Sequence, residues 1–565
     1  MAKGIKQLYG YPLIDQTARN DIKNNYQKKT DENLQTTDKT IVGSINEVAV
    51  QCKEKANKYY VLSNEYSNLN ECIDNLNDFY ELKLLEKKYS LNKPLNIRKN
   101  IKIKGKATIS TEDTTFDSVI NVQDVDYVEI DDINITTKNI RSTDTIMGII
   151  NIKNVKKVIL KNIKINGEIL LNTDFGLGGI NLDNCENVLV DNCEIKNTKN
   201  GIRLNKVKKY IIKNNIILSD KIPSFWSTTN TNMFYGIIID NLIDNTLVDK
   251  SVCNLKNNSG NIYNNELYGW DIVISNRFSS NSNIYNNKIF NTCFPITIDR
   301  CDKINVYNNT IDLSDANITE LHLFMEFVLS SNCCAYSNYI VSKNKLGTGI
   351  GSYGNLNSDW KNEPVNNMFF NNNIYNCNHG VNIGANSKNI QVNNNNIKEC
   401  NSGIVLNVDN INNSNIFGNI IMDNEDYGIV INETYTNDIS LVKIENNTIL
   451  NGKNCGIYGH DNNLGKSIIE FDNNYTNNNT KELGGSLKNT IFKNNVFKAE
   501  SETSNCIILQ DTSGTIDMIN NYIYGVITLK AGVTINSYKN IFKGNIWNVS
   551  SPTVIELQEC AWVQN

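Results

Sequence analysis

The sequence predicts a mainly-β chain: a right-handed, single-stranded parallel β-helix carried behind an N-terminal α-helical coiled-coil stalk. Three observations predict it. An Asn-Asn step follows an apolar, β-branched run again and again; a glycine opens an alternating strand between those steps; and a heptad of apolar residues runs from Ile41 to Tyr80.

The asparagine mark comes first. VLVDN (188–192), YIIKNN (210–215), NIYNN (283–287), NVYNN (305–309) and TIFKNN (490–495) share one pattern. The second asparagine falls at 192, 215, 265, 287, 309, 373, 396, 419, 447, 474, 495 and 521, with several steps of 22 or 23 residues. A fixed period of this length marks a stacked repeat. Asparagine tolerates a left-handed backbone and can bond its own copy in the next coil. The glycine mark reads GINL at 179, GIRL at 201, GIII at 236, GVNI at 380, GIVL at 403 and GIVI at 428. One coil cannot bury its apolar side alone, and stacking joins the coils into one core. A leucine-rich repeat would need a leucine and helix signature, and a β-propeller a period near forty. Neither is present.

In the heptad, Ile41, Ile45, Val48, Cys52, Tyr59, Leu62, Tyr66, Leu69, Ile73, Leu76 and Tyr80 take the core positions, with Lys55 as the one break. The alternative is an amphipathic helix packed on the end of the β-helix. The expected organisation is an N-terminal segment 1–40, a stalk 41–90, an opening of the β-helix at 91–150, the β-helix at 151–524 and a cap at 525–565 closed by Trp547 and Trp562.

Composition narrows the function classes. A net charge of -5 over 565 residues, with no basic stripe, argues against nucleic-acid binding. Arginine is confined to Arg19, Arg98, Arg141, Arg203, Arg277 and Arg300. Fourteen cysteines lack CxxC pairs, and three histidines are too few for ordinary zinc sites, so no metal and no cofactor is expected. The cysteines read as buried thiols, with Cys377 and Cys400 stacked one coil apart. No signal peptide or membrane span is expected.

The segment LQTTDKTIVGSINEV (34–48) resembles the L-x-T-x-x-K-T-V-V-G-A-I-N-E-L segment of bacteriophage tail-fibre and baseplate-associated proteins. Joined to the repeats, the chain resembles tailspikes with a pectate-lyase-like β-helix. The motif covers fifteen residues and the architecture nearly all the rest. The resemblance implies a homotrimer in the virion tail, made in the host cytoplasm and attached to tail or baseplate proteins through its N-terminus. It implies a host cell-surface polysaccharide as partner, recognised and in some members depolymerised. A phage-tail-like bacteriocin spike would look the same.

Aligning the glycine-led strands places Asp183, Asn205, Asp240, Ser275 and Asp299 in one outward column, and Asn181, Arg203, Ile238, Val273 and Thr297 in the next. Asp240 and Asp299 then stand two coils apart, roughly 10 Å along the stack. That separation suits the acid and base of an inverting glycosidase. Arg203, Arg300 and Ser275 lie in the same region, and Trp270 beside Asp271 is a candidate lining residue. The period fails at about 218–258 and 313–365. These insertions bring Trp226 and Tyr235, and His322, Glu326 and Trp360, toward the same flank; aromatics there would stack on sugar rings. Three readings stay open: a hydrolase, ranked above a lyase because no dense acidic cluster suggests calcium; a non-catalytic adhesin; and a structural tail-fibre or baseplate element.

Overall fold

The computed structural model describes residues 68–78, 80–113, 115–138, 147–168, 178–220, 233–240, 258–316, 318, 323–354, 364–384, 386–407, 413–432, 441–460, 468–487, 489–510, 514–530, 532–544, 547–551 and 553–563, with the short strands Lys6–Leu8, Tyr11–Leu13 and Tyr60–Leu62. The chain divides into two compact units: Met1–Leu85 with Lys99–Lys104, and Glu86–Arg98 with Gly105–Asn565.

In the first unit, Tyr60–Leu62 pairs in parallel with Tyr80–Lys83, which pairs with residues 101–104. Between them lies the one described helix, Leu69–Asn75. Asn68 caps it, its Oδ1 accepting the Glu71 N–H at 2.9 Å, and Lys99 Nζ donates to the Asp74 and Leu76 carbonyls at its other end. Leu69, Cys72, Ile73 and Leu76 are buried. An unbroken helical stalk through residue 80 is therefore not what the described residues form, because Tyr60–Leu62 and Tyr80–Lys83 are strands. The apolar 3/4 spacing at 69–76 serves a two-turn helix. Residues 41–59 and the 34–48 motif lie outside the described residues.

The second unit is a parallel β-helix. From Gly178–Asp183 onward each strand pairs in parallel with the strand three places later, so three strands make one coil and three sheets run along the stack. Sheet I holds the glycine-led strands, among them Gly178–Asp183, Asn200–Asn205 and Tyr235–Asp240. Sheet II includes Asn187–Asp191 and Lys209–Lys213, and sheet III Glu194–Lys196 and Ile216–Leu218. Alternate residues point inward: Ile180, Leu182, Ile202, Leu204, Ile237 and Ile239 are all at 0% exposure. The stacking is already formed at Leu95–Ile97, which pairs with residues 120–122, ahead of the expected start at 151. It also continues past 524: Val526–Leu529, Val533–Tyr538 and Ile541–Lys543 extend the three sheets, and Trp547–Val549, Val554–Gln558 and Ala561–Val563 pair onto them. Trp547 and Trp562 both pack on Phe542, yet Val549, Val554, Leu557, Trp562 and Val563 stay 43–53% exposed.

The two asparagines of each Asn-Asn step divide the work. The first turns the chain with positive φ, as at Asn214, Asn264, Asn286 and Asn308. The second is buried and bonds its copies: Asn265 Nδ2 donates to Asn287 Oδ1 at 2.9 Å, and Asn287 Nδ2 to Asn309 Oδ1 at 3.0 Å. The ladder continues through Asn338, Asn372, Asn395, Asn419, Asn447, Asn474, Asn495, Asn521 and Asn540. The ladder residues are thus Asn372 and Asn395, not the expected 373 and 396, because in the runs 371–373 and 393–396 the last asparagine opens the next strand and the one before it turns inward. Asn192 has a positive φ, and Cys193 behind it occupies the ladder position, its N–H donating to Asn215 Oδ1. The described cysteines are free thiols, and Cys377 and Cys400 are fully buried.

Candidate functional site

The outer face of sheet I is set by register. One column runs Arg203, Ile238, Ser275, Thr297, Glu326, Gly351; the next runs Asn205, Asp240, Arg277, Asp299, Val328, Tyr353. The expected register was two residues off in one coil. Ser275 stands beside Ile238, not Asp240, and Val273 lies level with Gly236. The cause is Asn276, which points inward at 0% exposure where Leu204, Ile239 and Ile298 fill the core. A polar residue in an inward position reads as an outward one.

This register puts Arg277 between the two aspartates. Its Nε lies 3.3 Å from Asp299 Oδ2 and its Nη1 4.0 Å from Asp240 Oδ2. Arg300, on a positive-φ turn, folds back to pair with Asp299, and both guanidiniums approach the Phe278 ring, at 5.8 and 5.6 Å. Asp240 and Asp299 therefore do not face each other across open space. Burial pushes the Asp299 carboxyl above its ordinary range, against the pull of Arg300 and Arg277. Asp299 Oδ1 is buried with no hydrogen-bond partner among the described residues.

Glu326 completes the group. It pairs in register with Thr297, so it sits diagonally from Asp299 on the neighbouring strand. From a strand spacing of about 4.8 Å and a rise of about 3.3 Å per residue, their Cα atoms are roughly 8 Å apart. The Glu326 side chain is half-buried. That burial, helped by the Asp299 charge, pushes its carboxyl up to about 7. The Tyr353 ring lies across Gly351 and Gly384: a Cβ on Gly351 would come within 2.3 Å of the ring, and one on Gly384 within 2.5 Å. Burial raises the Tyr353 hydroxyl, and the Glu326 charge adds to it. A carboxyl that keeps its proton near neutrality, beside a second carboxyl held by cations, has the makings of a general acid and its partner.

The other expected residues divide. Tyr235 is close enough to Arg277, Arg203 and Asp240 to feel their charges. Arg203 stands four strand spacings before Glu326, about 19 Å along the stack. Ser275 is 3% exposed and forms floor rather than wall. Trp270 is not a lining residue: it is fully buried, its Nε1 donating to the Ile217 carbonyl at 3.1 Å, because an indole this large fills the turn into sheet I. Trp226, Trp360 and His322 lie outside the described residues. The sequence reading counted Glu326 among the residues of the second insertion and did not select its carboxyl; it lies on the strand Leu323–Val328. The sequence signal was a lone acid inside an apolar strand. The stacked rings Tyr263, Tyr285, Tyr307, Tyr336 and Phe370 on sheet II, 4.7–4.9 Å apart, cover each other's faces and leave only edges for a ligand. Among the described residues no group of three His, Cys, Asp or Glu side chains could hold a metal, and no helix is long and apolar enough to cross a membrane.

No family model and no curated protein matches this chain. Among solved structures it is similar to a PL6 alginate lyase in complex with a trisaccharide (14% identity, TM-score 0.40, covering 64% of this chain and 85% of that one). It is similar also to the catalytic unit of a GH87 α-1,3-glucanase from Streptomyces thermodiastaticus (13%, 0.39, 71% and 64%) and to the Dettilon tailspike protein (12%, 0.34, 71% and 73%). At these TM-scores the likenesses carry no functional information.

Proposed function

We propose that this chain is a tailspike-like protein of a virion or a phage-tail-like particle that binds a bacterial surface polysaccharide on the outer face of sheet I and hydrolyses it there. Glu326 gives its proton to the leaving glycosidic oxygen, and Asp299 takes a proton from the attacking water. Arg277 and Arg300 keep Asp299 ionised. The observation that carries the reading is the diagonal placement of Glu326 and Asp299 on adjacent strands of a rigid scaffold. About 8 Å between their backbones lets the two carboxyls reach the roughly 6.5–9.5 Å of an inverting pair. The homotrimer and the attachment to tail or baseplate proteins follow from the 34–48 resemblance and belong to the same proposal.

A second reading has its own support. Asp240, Arg277, Asp299 and Arg300 form a continuous chain of ion pairs, which is also what a purely structural cluster looks like. In that case the spike adheres without cutting. Purified protein incubated with matched host polysaccharide decides between them. New reducing ends that vanish in Glu326→Gln and in Asp299→Asn support hydrolysis; binding without products supports adhesion. Unsaturated sugar ends would identify elimination and sink the hydrolase.

A further inference from the structure

Sheet II carries a groove of about 430 Å³ on its outer face. Register builds its floor. Ile159, Leu189, Ile211, Asn261 and Asn283 follow one another in a single column across five coils. The first three make an aliphatic strip, with Ile211 38% exposed. The last two make an amide strip, Asn283 Nδ2 donating to Asn261 Oδ1 at 2.9 Å. Gly260, on the inward side of the same strand, leaves room in the core for the buried Tyr210 ring, which a Cβ would meet at 2.2 Å.

One wall is cationic. Lys157, Asn187, Lys209 and Ser259 form the neighbouring column. Both lysines are exposed, and neither has an ion pair with a described residue, while Lys156, Lys208 and Lys213 beside them are held by Asp126, Glu186 and Asp191. None of its lining residues is a carboxylate; Glu129, one coil before Ile159 in the same column, is bonded by the Tyr127 hydroxyl. Two cations without a salt bridge therefore stand two strand spacings apart, roughly 10 Å, with Lys157 Nζ 5.7 Å from the Tyr127 ring.

We propose that the sheet II groove is a second, non-hydrolytic binding site for an anionic polysaccharide. Such a chain offers apolar C–H faces to the aliphatic strip and hydroxyls to the amides. It also carries negative charges at regular intervals, so that two of them can meet Lys157 and Lys209 together. A second copy of this protein would favour a longer apolar strip than three residues that gives way to asparagine. A peptide strand would seek a sheet edge, and this is a sheet face. The inference takes the polysaccharide class from the proposed function but none of its catalytic step.

The test uses full-length Glu326→Gln protein, so that cleavage does not intrude. The probes are hexameric oligogalacturonate, a poly(glycerol phosphate) oligomer and, as the neutral control, maltohexaose. At least one anionic probe binds better than maltohexaose, and its affinity falls as salt rises. Lys157→Gln with Lys209→Gln weakens it about tenfold or more and flattens the salt dependence. Ile211→Asp weakens it with unchanged sedimentation. Failure of both anionic probes to bind, equal binding of the neutral hexamer, or an unaffected lysine variant overturns the site. Ile211→Asp that alters the assembly state and leaves binding intact overturns it too, making the strip an interface between copies. If Glu326→Gln still cleaves polysaccharide, the hydrolase assignment falls while charge-dependent binding to sheet II stands.

Discussion

Asn286 and Asn287 are neighbours with the same side chain, yet their replacement by alanine separates by about 3 kcal/mol if the ladder holds the stack together. Asn287 is at 0% exposure. Its Nδ2 donates to the Ile262 carbonyl and to Asn309 Oδ1, both at 3.0 Å, and its Oδ1 accepts the Asn265 N–H at 3.1 Å and Asn265 Nδ2 at 2.9 Å. Asn287→Ala removes all four bonds and leaves the buried Asn265 N–H without its side-chain acceptor. With about 1 kcal/mol net per bond lost, the four bonds together cost about 4 kcal/mol. Asn286 is exposed at φ 54, and alanine there loses only the left-handed preference, about 1 kcal/mol. A long stacked array need not unfold in one reversible step, so the comparison is made on unfolding rates in concentrated denaturant. Asn287→Ala is expected to unfold at least about 100-fold faster than the parent and Asn286→Ala less than about tenfold faster. Asn372→Ala against Asn373→Ala repeats the test in a run of three asparagines. Equal rates within either pair would refute the division of labour.

Three further outcomes follow from the buried carboxyls. Glu326 donates a proton only while it holds one, so turnover falls as pH rises through about 7; Glu326→Gln removes that limb and lowers kcat by roughly 10²–10⁴ with binding retained. Gly351→Ala drives its Cβ into the Tyr353 ring and lets water reach Glu326, so the same limb moves to lower pH; a limb that stays in place means Tyr353 does not keep Glu326 dry. Glu482, at 0% exposure, accepts the Asn479 N–H at 3.0 Å and Asn479 Nδ2 at 2.6 Å, and burial pushes it up to about 7 from 4.5. Its folded value lies above its unfolded one, so its contribution is greatest below pH 4.5 and is lost as pH rises to about 7, by up to about 3 kcal/mol. Glu482→Gln flattens that part of the stability profile, read by denaturant midpoints from pH 4 to 8.

What the sequence could show was decided by how far each inference reaches along the chain. The coil was legible because its signals are local: an asparagine that turns the backbone, an asparagine that bonds its copy, and a glycine ahead of an alternating strand. Which residue of a three-asparagine run enters the ladder was not legible, because all three carry the same side chain. The last part of the heptad, from Tyr60 to Tyr80, misled for a related reason. Apolar spacing at Leu69, Ile73 and Leu76 says which face is buried, not what covers it, and the strand Tyr80–Lys83 uses Tyr80 differently. The site demanded more, since it is made by side chains one coil apart and a slip of two residues moves every partner. Asn276 caused such a slip by putting an amide in the core, and it hid Arg277 from the Asp240–Asp299 column. Glu326 was hidden by the insertion before it: with the period broken, nothing in the sequence says that it lies beside Thr297 rather than in a loop. The two aspartates were visible because acids on an outward strand face stand out in any register. The residue that separates them and the residue that completes the candidate pair could be found only once the strands were paired. On this argument Arg277→Ala is the sharpest probe of the cluster. It leaves Asp299 with Arg300 alone, so burial acts on Asp299 with less opposition and its carboxyl rises further. The acid limb of the pH profile then moves upward, and a limb that does not move removes Asp299 from the role of base.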